Sequence, residues 1–118
     1  MSLLFGYLTL ACFILLAAKY PLRIAGAHRA NAFLMKLHEA ASGGFLLFAL
    51  IHAFFAFKVL AMHSVWLPIT GVAALVTGVV LIYACHKTRD VKKKMYWHRW
   101  YSLALLVFIA LHMALYFI

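Results

Sequence analysis

Acidic side chains are nearly absent from this chain. Its 118 residues include two Asp or Glu against eleven Lys or Arg, a net charge of +9. Charged residues of either sign make up only 11%, and 69% of the chain is hydrophobic. A water-soluble fold of this size cannot bury so much apolar surface. Cysteine is scarce too: Cys12 is within one apolar run and Cys85 at the end of another, at different depths, so no disulfide is expected. The ten-residue alternating segments of a membrane barrel do not occur. The first apolar run has its positive charges after it rather than before it, so it is expected to remain as a helix instead of being removed as a signal peptide.

What the chain does have is long apolar runs, at about 2–18, 39–60, 65–85 and 98–118. Each is long enough to cross a hydrocarbon core. The expectation is an all-α integral membrane four-helix bundle forming a single domain over 1–118. The basic residues are unevenly placed. Lys19, Arg23, Arg29 and Lys36 fall between runs one and two; Lys87, Arg89, Lys92, Lys93, Lys94 and Arg99 fall between, or just inside, runs three and four; Lys58 alone lies on the opposite side. By the positive-inside rule both termini are outside and the two basic connections are cytoplasmic, as in a multi-pass protein of a bacterial-type inner membrane. Topology and attraction to anionic membrane lipid account for the charge, so nucleic acid is not the expected partner. Tyr96, Trp97, Trp100 and Tyr101 form an aromatic belt on the cytoplasmic side, with Trp66 at the other interface.

Histidine supplies the pattern of greatest interest. His38 and His52 are fourteen residues apart, and so are His98 and His112. On an α-helix fourteen residues rise about 21 Å and turn to within about 40° of four full revolutions. Both members of a pair therefore leave one helix in the same direction, at different depths. Offsetting the chain by sixty residues superimposes the two pairs, and also aligns Ser42 with Ser102, Leu46 with Leu106, Phe48 with Phe108 and Phe57 with Phe117. Helices one and three align poorly. In an up-down-up-down bundle, helices two and four are parallel and diagonal, so His38 faces His98 near the cytoplasm and His52 faces His112 further out. Residues 23–36 have one polar and one apolar face, consistent with an earlier start to helix two or with an interfacial helix.

An imidazole in a membrane core must hydrogen-bond or ligate something. Four separate packed histidines would meet that need, but matched spacing on alternate helices favours paired ligands. Two ligands per level are too few for structural zinc. A haem supplies four nitrogens itself and needs two axial imidazoles. No Cys-x-x-Cys-His occurs, so two noncovalent b-type haems are expected. Ser42, Ser102 and Thr77 are candidate hydrogen-bond partners for the ligating rings. Lys36 and Arg99 beside the inner pair, and Lys58 beyond the outer one, are candidates to bind haem propionates or, equally, to snorkel at the interface. The small residues Gly43 and Gly44, and the stripe Gly71, Ala74 and Gly78, suit close approach of a ring or ordinary helix packing. His28, His63 and His86 are in or beside connections and read as solvated.

Two helices each bearing His-x13-His resemble the di-haem four-helix core of cytochrome b in respiratory quinol–cytochrome c reductases. They also resemble the transmembrane domain of ferric reductases and NADPH oxidases. The resemblance implies that His38 and His98 bind one b-type haem and that His52 and His112 bind the other. Nothing resembles the quinone-site motifs of the respiratory proteins or the flavin and nicotinamide domains of the oxidases. The resemblance thus implies a minimal module that carries electrons from a cytoplasmic or membrane donor to an outer-face acceptor. A soluble flavoprotein meeting the basic face, or a quinol, would be the donor. Two rivals stand beside this electron-transfer cytochrome. One is a haem-bearing membrane anchor subunit of a dehydrogenase or quinone reductase, which would make the chain part of an oxidoreductase. The other is a small four-helix transporter resembling the small multidrug exporters. The exporter is disfavoured because Glu39 lies at a helix end and Asp90 in a loop.

Overall fold

The computed structural model describes residues 1–58 and 64–118. The described residues form four helices and no strand: α1 (Ser2–Ile24), α2 (His28–Phe57), α3 (Trp66–Lys87) and α4 (Val91–Phe117). Each is long and apolar enough to cross a membrane. The connection expected around 61–64, the last residues expected for helix two, and His63 fall wholly or partly outside the described residues.

Three expected boundaries need correction. α1 continues past residue 18 to Ile24, α2 starts at His28 rather than 39, and α4 starts at Val91 rather than 98. Apolarity marks where a helix meets lipid; the helix itself stops only where its end groups are satisfied otherwise. α1 ends in a Schellman motif. Gly26 adopts φ +73°, its N–H reaches the carbonyl of Arg23, and that of Ala27 reaches Leu22. A side chain at Gly26 would be strained in this left-handed conformation. α4 begins on Asp90, whose carboxylate accepts the Lys92 N–H at 3.0 Å. That cap also offsets the unfavourable placement of Lys92, Lys93 and Lys94 at the positive end of the helix dipole. At 30 and 27 residues, α2 and α4 are about 45 and 40 Å long, more than the hydrocarbon core requires. Their surplus is the basic and aromatic beginning of each helix.

The chain divides into two compact units, Met1–Phe55 and Ala56–Ile118. In the first, α1 and α2 form an antiparallel hairpin through the three-residue turn 25–27. Phe13 meets Phe45 near its middle, and Phe5 stacks on Phe55 with centroids 5.9 Å apart and also touches Phe48. Phe45 is buried. In the second, α3 and α4 pair across the turn 88–90. Among its described residues Ala74, Gly78 and Leu105 are buried. Two of the expected small-residue stripe therefore lie in the core of a helix pair, where small side chains let backbones approach. In each hairpin the turn end carries nearly all the basic residues. Cys12 and Cys85 are both free thiols.

Candidate functional site

The four histidines expected to be ligands lie on α2 and α4, and neither helix is interrupted between the members of its pair. The fourteen-residue spacing thus operates on continuous helix in both cases. All four rings are half-buried.

His52 and His112 have matching surroundings. His52 Nδ1 lies 2.8 Å from the main-chain carbonyl of Ser2 and 3.4 Å from the Ser2 hydroxyl. His112 Nδ1 lies 2.9 Å from the carbonyl of Leu67 and 3.3 Å from the Thr70 hydroxyl. A carbonyl can only accept, so each of these contacts is a hydrogen bond when Nδ1 carries a proton and donates it. In a neutral ring donating from Nδ1, Nε2 bears the lone pair, the form in which an imidazole ligates a metal. The Thr70 hydroxyl is 3.0 Å from the carbonyls of both Trp66 and Leu67, so its hydrogen is engaged within α3 and its oxygen is left to face His112.

Each ring also rests on a glycine. A methyl group at Gly6 would lie 3.1 Å from His52 Cε1 and Nδ1. One at Gly71 would lie 2.9 Å from His112 Cε1 and 3.2 Å from its Nδ1. Gly71 therefore makes room for the imidazole of its own hairpin. By contrast, a methyl at Gly43 would have nothing within 4 Å, and one at Gly44 would touch Cys12 Sγ.

Of the hydroxyls expected to support the rings, Ser102 is 3.5 Å from His98 Nδ1, at the outer limit of a hydrogen bond. Ser42 and Thr77 do not reach a histidine. They donate within their own helices, to Glu39 and Ala73. Ser2, Thr70 and the carbonyls of Ser2 and Leu67 were not legible as partners; the only sequence signal near them is a glycine four residues on.

The expected propionate partners are exposed. Lys36 lies about 200° around α2 from His38, on the far side of the helix. Arg99 lines a shallow groove on α4 with Lys92, Tyr96, Trp100 and Leu103. Lys58 follows the end of α2. In the aromatic belt Tyr96 packs edge-on against Trp97, and Trp97 stacks on Tyr101 at 5.8 Å. His28 opens α2 and His86 is in the last turn of α3. Among the described residues no group of three or more His, Cys, Asp or Glu could form a metal site from side chains alone. A centre built here from two imidazoles must bring its other ligands with it. No family model matches this chain, and no curated protein or solved structure matches it.

Proposed function

We propose that this chain is a di-haem b-type membrane cytochrome that carries electrons across a bilayer. The observation carrying the proposal is the repeated fourteen-residue histidine pair, each on one unbroken membrane-length helix. The donor set fits the group. It is imidazole only, and at His52 and His112 Nδ1 faces a main-chain carbonyl, an arrangement that suits coordination through Nε2. In this reading the helices close into a four-helix bundle, with His38 and His98 holding one haem and His52 and His112 the other.

What a haem supplies when bound is a one-electron iron couple. The chain's own residues do the rest. With two imidazoles offered to each haem, His38 with His98 and His52 with His112, the chain would favour relay over oxygen binding. The carbonyls behind His52 and His112 orient these rings and raise their basicity. The apolar helices keep water from the path. Arg99 and Lys58 would bind propionates or lipid phosphates, and Lys36, on the face of α2 away from His38, would bind lipid phosphates.

The basic turn ends support a topology with termini outside and turns 25–27 and 88–90 cytoplasmic, in a bacterial-type inner membrane. Lys92, Lys93, Lys94 and Arg99 then provide a cytoplasmic surface for an acidic soluble donor such as a flavoprotein. A membrane quinol is the other donor this arrangement admits.

The test is the haem-to-protein ratio of the detergent-purified chain, read with reduced-minus-oxidised spectra. Two low-spin b-type haems per chain are expected. No haem, after expression with ample haem supply, overturns the proposal.

A further inference from the structure

The surroundings of His52 and His112 agree in a detail that no alignment of side chains contains. In each hairpin the accepting carbonyl belongs to a residue in the first turn of the helix without candidate ligands, Ser2 in α1 and Leu67 in α3. In each, glycine follows four residues later, at Gly6 and Gly71.

The spacing has a physical reason. In an α-helix the carbonyl of residue i accepts the N–H of residue i+4 and keeps a second lone pair. Every Cα–Cβ bond leans toward the helix N-terminus, so a side chain at i+4 leans back over that carbonyl. A ring arriving from a neighbouring helix reaches the second lone pair most closely where i+4 has no side chain. The clearances agree, since a methyl at either glycine would press on the imidazole at 2.9–3.1 Å. Both clamps also add a hydroxyl oxygen near Nδ1, from Ser2 and from Thr70.

We propose that the first turns of α1 and α3 are twin positioning clamps that hold His52 and His112 as Nδ1–H tautomers, presenting Nε2 as the coordinating nitrogen. Gly6 and Gly71 are the positioning residues that admit the rings, and Thr70 assists at His112. The helices without ligands thereby decide how the outer ligands face. Neutral imidazole in water favours the opposite, Nε2–H form, so the clamps select against the intrinsic preference. The haem proposal is needed only for what Nε2 coordinates; the tautomer and the glycine dependence stand on the hairpins themselves.

The experiment is 15N spectroscopy of the full chain labelled at histidine, purified in detergent and reduced with dithionite, where low-spin ferrous iron is diamagnetic. In the unaltered chain Nδ1 of both His52 and His112 is expected to carry a proton. Gly71→Ala should move the His112 Nδ1 resonance, Gly6→Ala should move that of His52, and Gly43→Ala should move neither. Thr70→Val adds no bulk, so it serves should an alanine variant fail to fold; it should move His112 and leave His52 in place. An unprotonated Nδ1 in the unaltered chain overturns the proposal. So does a His112 resonance that Gly71→Ala and Thr70→Val leave where Gly43→Ala leaves it. A chain that purifies without haem yet shows the expected shifts loses the cytochrome function and keeps the clamps. A chain with two haems whose glycines behave alike loses the clamps and keeps the function.

Discussion

Replacing His112 with alanine should remove one haem and leave the other, because the hairpin can tolerate the loss of this ring. Three contributions are at stake. The Nδ1–H bond to Leu67 is worth about 0.6 kcal/mol on average for polar contacts between membrane helices, and at most about 1.7. The space left over Gly71, if roughly 50 Å³ remains unfilled, costs about 1.2 kcal/mol. The third is the usual penalty for an orphaned buried partner, and it does not arise. The Leu67 carbonyl lies 3.0 Å from the Thr70 hydroxyl and is within the α3 ladder, so it keeps its hydrogen bonds when the ring goes. The total, about 2–3 kcal/mol, is small against the insertion of four apolar helices. His112→Ala should therefore keep its helical circular dichroism, and its haem-to-protein ratio should fall by about half. On the proposed pairing the remaining haem, held by His38 and His98, should stay low-spin. His86→Ala, at the end of α3, should leave the haem content unchanged. An unchanged haem content in His112→Ala would falsify the ligand assignment. Loss of both haems from a variant with intact helical content would refute the reasoning that the two levels are held separately.

Three further outcomes follow from the same structure. Asp90→Ala removes the cap of α4 and leaves three lysines at the positive end of its dipole; thermal unfolding in detergent should show a loss of about 1 kcal/mol. Leu105→Ala empties a position only 3% exposed, and because lipid is as apolar as leucine the cost should be near 2 kcal/mol, at the low end of the range for soluble cores, as read from the same melting curves. After Cys12 and Cys85 are replaced by serine, Lys93→Cys should react with an impermeant maleimide only from the cytoplasmic side and Ser64→Cys only from the outer side; the reverse pattern inverts the topology.

The four apolar helices and the histidine spacing were legible because both are carried by side-chain identity over long intervals. Helix ends were not, since Asp90 and Gly26 act through local hydrogen bonds and φ, to which apolarity is blind. The partners of the histidines escaped for a different reason. Hydroxyls within a helix tend to bond back to their own carbonyls, as Ser42 and Thr77 do, so their presence near a histidine says little about contact. The groups that do bind His52 and His112 are main-chain carbonyls, and every residue has one. Gly71 was visible as a small residue suited to lie near a ring. Which ring it meets depends on how α3 pairs with α4.

That pairing also explains why α1 and α3 look unrelated. His52 and His112 are offset by sixty residues, whereas their clamps, Ser2 with Gly6 and Leu67 with Gly71, are offset by sixty-five. The difference of five is divided between the two arms of the hairpin. From clamp to helix end, Ser2 to Ile24 spans two residues more than Leu67 to Lys87; from helix start to histidine, His28 to His52 spans three more than Val91 to His112. The two turns are equal in length, three residues each. Antiparallel helices rise equally on both arms, about 1.5 Å per residue, so shortening the arms by two and three residues moves clamp and histidine together to within about 1.5 Å. Shortening one arm by five would separate them by about 7.5 Å, more than a full turn, and break the contact. What the two hairpins preserve is thus the level at which a carbonyl meets an imidazole, a quantity set by the sum of changes in both arms and invisible to any single offset along the chain.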